Sequence, residues 1–295
     1  MSAAIKLSSP ATNDFWEIPV LFEDAQLLVL DKPAGLLAMS DASAPQQPSL
    51  MSLLHTGIAN AKPWARERGL TFLRNAHRLD PETSGAMLLA KSKTVLTALA
   101  DQFGGEQSTL RYVALVKGEP KSQQFFVDAK IAAHPAKPGV MRVDSGRGKK
   151  SRTWFEVREM FSGYALVDGR PVADRRHQMR VHLRQARLGV VGDPLYGTGP
   201  LFLSRLKRNY RLKPGRTERP LIARVALHAE KLTITHPVTG NALTITAPWP
   251  KDMVVAVKYL RLFAPPGKPI AQNEVTPGSE PFARFGSRAV KSPPN

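Results

Sequence analysis

Ala76-His77-Arg78-Leu79-Asp80-Pro81-Glu82-Thr83-Ser84-Gly85, running directly into Ala86-Met87-Leu88-Leu89-Ala90, is the stretch on which the reading of this sequence turns. It is a turn that feeds a strand. An Asp followed by Pro forms turns, because the carboxylate bonds nearby backbone and the Pro ring presets the next dihedral. A short apolar run without polar alternation reads as a strand buried on both faces. Taken alone, such a turn is usually only a turn.

Working outward, Leu27-Leu28-Val29-Leu30 reads as a second buried strand, ended by the turn Asp31-Lys32-Pro33-Ala34-Gly35. Thr94 to Phe103 reads as a helix, with Leu96, Leu99, Ala100 and Phe103 on one face and Gly104-Gly105 stopping it. Arg111 to Lys117, Thr153 to Glu159 and Tyr164 to Val167 are strand-like, and His177 to Arg187 reads as a helix stopped by Gly189. Lys231 to Thr235 and Ala242 to Thr246 form a hairpin around His236-Pro237-Val238-Thr239-Gly240. Many short strands with few helices between them predict an α+β protein with a mixed, largely antiparallel sheet flanked by helices and loops. Residues 1–17 are expected to be a mobile arm and 18–264 a single catalytic domain. Residues 265–295, rich in Pro, Gly, Ser and charge, are expected to be a disordered tail. Residues 40 to 75 and 200 to 220 look irregular.

Composition narrows the chemistry. The chain has no cysteine, which removes thiolate nucleophiles, Cys-ligated zinc and iron–sulfur clusters. It also fits a reducing compartment, so a cytoplasmic location is expected. No apolar run approaches the roughly 20 residues that span a bilayer, so no membrane partner is expected. Lys and Arg total 42 against 24 Asp and Glu, a net charge of +18. A pI near 10.4 is the electrostatic footprint of a protein with a polyanionic partner. The positive charge is clustered within 142–152, 170–187 and 205–224. Clustered arginine suits phosphate, since its planar fork bonds two oxygens at once. In the last cluster Phe202 and Tyr210 interleave with the cations, a pattern that fits RNA contact and fits a solvated basic helix equally.

His-Arg-Leu-Asp-x-x-Thr-Ser-Gly followed by an apolar strand resembles the signature of the RluA-like pseudouridine synthases. Further blocks agree in type and order. Val20 to Asp24 with Leu27 to Gly35 resembles the family's opening strand and Lys-Pro-x-Gly turn, and Arg111 to Gly118 its Tyr-bearing strand. Arg175 to Leu183 resembles its Arg-bearing helix, Gly192-Asp193-Pro194-Leu195-Tyr196-Gly197 the turn that follows, and Leu227-His228-Ala229 with His236 to Gly240 the closing hairpin. The match covers about residues 18 to 252. It departs from the family at Asp174, where Gly is usual, and at Arg176, where Ser or Thr is common.

The resemblance implies the pseudouridine synthase fold and an RNA uridine isomerase acting as a monomer on structured ribosomal or transfer RNA. Converting uridine to pseudouridine breaks N1–C1′, turns the uracil and joins C5 to C1′. Nothing is oxidised and nothing imported, so no cofactor and no metal are expected. The resemblance implies that Asp80 is the carboxylate at the ribose, acting on C1′ or on a sugar proton, and that Arg180 is its ionic partner. It implies that Tyr112 stacks on the target base, with a role at the C5 proton also open. On spacing alone, Arg180 is a surface ion-pair residue and Tyr112 a core aromatic. Arg78, two residues from Asp80, is placed to fill the space left by a flipped base or hold the flanking phosphate. His77, Thr83, Arg175, Arg176, His177 and Gln178 complete the expected RNA-contacting set. His177 and His182 are five apart rather than four, which argues against a helix-borne metal pair. Gly146 to Ser151 lacks P-loop spacing and reads as a basic loop. A non-catalytic RNA-binding protein on the same fold is the rival reading, and the presence of Asp80, Tyr112 and Arg180 weighs against it.

Overall fold

The computed structural model describes residues 4–41, 46–105 and 109–266. The N-terminal half holds β1 (Ala4–Ser9), β2 (Asp14–Glu23), β3 (Leu27–Lys32), α1 (Leu50–Ala59), α2 (Pro63–Arg66), β4 (Arg74–Asn75), β5 (Ser84–Ala90) and α3 (Lys93–Gly104). There follow β6 (Thr109–Lys117), β7 (Gln124–Asp128), β8 (Ile131–Ala133), β9 (Met141–Val143), β10 (Arg152–Phe161) and β11 (Tyr164–Pro171). The chain continues through α4 (Gln178–Gln185), β12 (Gly189–Val190), β13 (Leu227–Thr235), β14 (Ala242–Thr246) and α5 (Lys251–Phe263).

Nine strands form one path in the order β1-β2-β3-β5-β13-β6-β11-β10-β7, with β4, β12 and β14 paired to its members. Every pairing in this sheet is antiparallel except that of β5 with β13. The sheet is therefore mixed and largely antiparallel, as the pattern of short strands predicts. All seven residues of β5 are buried, which is why this strand shows no polar alternation. With Leu27–Leu30 of β3 and Val113–Val116 of β6 it forms the middle of the core.

The one parallel contact explains a glycine in the opening stretch. Gly85 has φ +119° and pairs with Ala229. A Cβ at this position would lie 2.3 Å from the Ala229 carbonyl oxygen, so only glycine lets β5 meet β13 where the turn ends. Ser84 Oγ completes the junction by a hydrogen bond with His228 Nδ1, at 2.9 Å.

Two expectations change, and one helix is added to them. The mobile N-terminal arm is instead a strand: β1 pairs with β2 over six residues, and Ile5, Leu7 and Ser9 are buried while Lys6 and Ser8 face solvent. Period-two alternation in Ala4 to Ser9 carries this signal, and burial of Ile5 and Leu7 outweighs the polar flank. The 40–75 stretch contains α1, capped by a Ser49–Ser52 box. The end of the domain is α5, whose buried Met253, Ala256, Val257 and Leu260 have helical spacing. Of the expected tail, all beyond residue 266 lies outside the described residues.

Candidate active site

The site is assembled on the turn before β5. The Thr83 amide donates to the Asp80 carbonyl at 3.0 Å, closing a β-turn with Pro81 at its second position. A second turn clamps this one. The Pro81 carbonyl accepts the Gly35 amide at 2.9 Å and Lys32 Nζ at 3.1 Å. The same ammonium donates to the carbonyls of Pro33 and Leu36, at 2.9 and 2.6 Å. Lys32 is fully buried, and desolvation brings its pKa down to about 7, with the charges of Asp80 and Glu82 opposing that fall. Three carbonyls for three donors are what make a buried ammonium tolerable.

Asp80 then projects into a small cleft lined by Arg78, Thr83, Tyr112, Pro171, Asp174, Arg175, Gln178, Met179 and Leu227. Tyr112 comes from β6, Pro171 from the end of β11 and Leu227 from the start of β13, so three adjacent strands converge on the carboxylate. Six of the residues expected at the site (Asp80, Tyr112, Arg78, Thr83, Arg175 and Gln178) thus meet in one place. Burial raises the Asp80 pKa, while the charge of Arg180 and the His177 amide pull it down. Burial, Asp174 and Asp80 hold the Tyr112 phenol well above its usual range; at neutral pH it is a neutral ring and not a base.

The expected Asp80–Arg180 ion pair is not formed. Arg180 is fully buried and gives its fork to Asp193, with Nε to Oδ2 at 2.7 Å and Nη2 to Oδ1 at 2.8 Å. Nη1 reaches Glu82 Oε2 at 3.1 Å, and the guanidinium carbon lies 5.1 Å from the centre of the Tyr196 ring. A bidentate bond to a carboxylate that is itself closed from solvent satisfies the guanidinium better than a single contact across the cleft. Asp80 receives the Arg180 charge through space, and its one hydrogen-bond donor among the described residues is the His177 amide, 3.3 Å from Oδ1.

His177 can donate there because it caps α4 in the left-handed conformation, φ 57° and ψ 17°, a backbone state that costs a non-glycine residue about 1–2 kcal/mol. Its ring is held by a 2.8 Å hydrogen bond between Nδ1 and the Tyr196 hydroxyl, and burial lowers its pKa to about 4. Asp174 has no positive φ, so the departure from the family's Gly at that position carries no left-handed strain. Asp174 instead faces Arg78, 4.0 Å from Nε. Desolvation where it lines the cleft is the main reason its pKa is up at about 6, with Arg78 opposing and Asp80 adding to the rise, although nearly half of the side chain stays open to solvent.

The remaining expected contacts divide. Arg175 Nε is buried at the cleft and has no hydrogen-bond partner among the described residues. Gln178 is spent on structure: Oε1 accepts the Arg175 amide at 3.2 Å, and Nε2 donates to the Arg152 carbonyl and Thr153 Oγ1 at 3.0 and 3.1 Å. Arg176 is exposed, outside the cleft lining, with Asp41 3.9 Å away. His77 does not reach the cleft. It is buried behind the turn, where Nε2 accepts the Leu88 amide at 3.0 Å and the ring packs on Phe103; desolvation brings its pKa to about 4. Asp193, Tyr196, Glu82 and Lys32 are the residues that sequence reasoning left without a role. Their motif blocks are recognisable, but nothing in their spacing joins 193 to 180 or 32 to 81. Among the described residues, no group of three or more His, Asp or Glu side chains could hold a metal.

The comparisons with known proteins place the chain among RNA-modifying isomerases. The family model described as RNA pseudouridylate synthase matches residues 26–185, and the chain belongs to that family. It is 35% identical over 251 residues to the ribosomal large subunit pseudouridine synthase D of Xanthomonas campestris, covering 82% of this chain and 69% of that one. It is 33% identical over 244 residues to the ribosomal large subunit pseudouridine synthase C of Salmonella typhi, covering 82% and 70%. In fold, it resembles the solved human RNA pseudouridylate synthase domain containing 4. That match has a TM-score of 0.61 at 23% identity and covers 82% of this chain and 92% of the other. The RluA-like resemblance of the motif blocks is thereby borne out, and with it the reading of the chain as an RNA pseudouridine synthase.

Proposed function

We propose that this protein isomerises a uridine of large-subunit ribosomal RNA, with Asp80 as the carboxylate that works at the ribose. The convergence of Asp80, Tyr112 and Arg78 on one cleft carries the catalytic reading. The choice of RNA rests on the likeness to large-subunit rRNA synthases. The target nucleotide leaves its stack and enters the cleft, and Arg78, exposed at its mouth, takes the vacated space or the flanking phosphate.

Within the cleft, Asp80 meets C1′ or a sugar proton as N1–C1′ breaks. The uracil turns against the Tyr112 ring, and C5 bonds to C1′. The C5 proton then leaves and N1, freed from C1′, takes up a proton, so the nucleotide keeps its composition. Tyr112 supplies a stacking surface; its neutral phenol is a poor acceptor for that proton. The unpartnered Arg175 Nε offers a donor to a phosphate or a uracil oxygen. His177 and Arg180 are positioning residues, acting through the amide that holds Asp80 and through a positive field that opposes the rise in its pKa caused by burial. Mapping pseudouridines in total RNA from cells with and without the gene tests the assignment. Loss of a site in large-subunit rRNA is the expected result; loss confined to tRNA overturns the choice of RNA.

A further inference from the structure

The arginine-rich segment between the Gly192–Gly197 turn and β13 takes no part in the cleft. Its ends are tied together where the Leu201 amide donates to the Ile222 carbonyl at 3.0 Å and the Leu221 amide to the Leu201 carbonyl at 2.7 Å. The 202–221 loop so closed contains one 3-10 turn, Leu203–Arg205, and no other helix or strand. It carries seven cations, Arg205, Lys207, Arg208, Arg211, Lys213, Arg216 and Arg219, all exposed. Its single acid, Glu218, accepts the Ser204 amide at 2.8 Å. Long irregular loops in compact domains are uncommon and usually functional.

The loop is held to the body rather than trailing from it. Leu206 packs against the core, and Lys207 Nζ sits 5.5 Å from the centre of the Phe263 ring at the end of α5. Arg205 acts electrostatically on Tyr164, the first residue of β11. Pro171, at the other end of β11, lines the cleft. Seven residue steps along the strand separate the two, about 23 Å at 3.3 Å per step. Arg205 and Lys207 thus stand toward the end of β11 opposite the cleft, on a loop that runs from the Asp193 turn to Leu227 and carries the other five cations.

We propose that the 202–221 loop is a second RNA-docking surface, gripping phosphates of a structured segment remote from the target nucleotide while the cleft holds the uridine. This rests on RNA being the substrate. The loop's arginines match phosphate geometry, and such contacts position an RNA without reading its sequence. The separation means that one RNA engages both surfaces only if it reaches about 23 Å beyond the target nucleotide.

The test replaces Arg205, Arg208, Arg211 and Arg216 together by Gln, leaving the packed Leu206, Lys207 and Glu218 intact. A control variant replaces exposed Lys6, Lys62, Arg66 and Lys121 in the same way. The RNA is whichever the wild-type enzyme isomerises, an in vitro transcript of large-subunit rRNA or total tRNA. An error in the proposed RNA class therefore shows in the wild type and not in the variant. The loop variant is expected to bind that RNA at least about 10-fold more weakly at 150 mM salt. Its log–log salt slope should be shallower by about 3, at 0.7–0.9 per lost phosphate contact. Turnover at saturation should hold, and a short hairpin cut around the modified uridine should bind wild type and variant alike. An unchanged slope, an equal loss in the control variant, an equal loss with the hairpin or a fall in saturated turnover would each overturn the proposal.

Discussion

The guanidinium of Arg180 faces both carboxylate oxygens of Asp193, at 2.7 and 2.8 Å, and neither side chain has any exposure to solvent. This pair, and not an Asp80–Arg180 pair, anchors helix α4, whose cap residue His177 gives its amide to Asp80. Removing Arg180 leaves Asp193 as a buried carboxylate without a counter-charge, and removing Asp193 leaves Arg180 only the single contact with the partly exposed Glu82; breaking such a buried pair costs about 3–5 kcal/mol.

The first prediction follows from that pairing. Arg180→Met and Asp193→Leu should each destabilise the protein strongly in urea unfolding. The double variant should be more stable than their sum predicts, because no orphan charge remains. Asp80→Asn combined with Arg180→Met should lie closer to additivity. Additivity at 180 and 193 with strong coupling at 80 and 180 would restore the direct pair.

Acid lability should share this origin. Burial pushes the Asp193 pKa up, but the hydrogen bonds and charge of Arg180 overcome it and the net shift is downward from 3.8. A carboxyl with a depressed folded pKa contributes stability that is fully present above its unfolded value and is lost as pH falls through the folded one. Wild type should therefore lose stability below about pH 4, and Asp193→Asn should be less stable at pH 7 with a flatter acid limb. Equal acid limbs would remove Asp193 from the cause.

Asp174 has the opposite sign. Its folded pKa, up at about 6, means that the native state holds a proton more tightly than the unfolded chain. Its partial desolvation at the cleft therefore lowers stability progressively between pH 4 and pH 6, and that loss persists above. Asp174→Asn should gain in stability relative to wild type at pH 8 and show no gain at pH 3.5, as read by thermal midpoints. The gain should be modest, since nearly half of the Asp174 side chain is open to solvent. A gain of equal size at both pH values would mean that charge is not the reason.

Asp80→Asn keeps the shape of the carboxylate and removes its charge. Tritium release from C5-labelled uridine in RNA should fall to background. RNA affinity should stay within about 3-fold, because affinity rests on phosphate contacts distant from one carboxylate. Substantial tritium release by this variant would refute the role given to Asp80.

Gly85→Ala tests the junction beneath the site. The added methyl meets the Ala229 carbonyl at 2.3 Å, on a backbone at φ +119°. Overpacking and dihedral strain together should cost about 3 kcal/mol. Turnover should fall as well, because the displaced turn carries Asp80. A variant with wild-type stability would mean that β5 and β13 separate freely here.

The sequence by itself determined the strands and helices that bury themselves by pattern, such as those read at Leu27–Leu30, Met87–Ala90 and Thr94–Phe103, and the ordered motif blocks that bring Asp80, Tyr112 and Arg78 into one reading. It also carried the amphipathic spacing of α5 and the alternation of β1, which were legible in the residues but short or close to polar ends, where pattern weakens. Only the tertiary structure decided who holds whom. Arg180 turns from Asp80 to Asp193, Lys32 closes under Pro81, and His77 leaves the cleft for the core. These partners lie 13 and 49 residues apart in the first two cases. The choice among carboxylates and carbonyls for a buried cation depends on desolvation and on hydrogen-bond geometry, which exist only once the strands have packed.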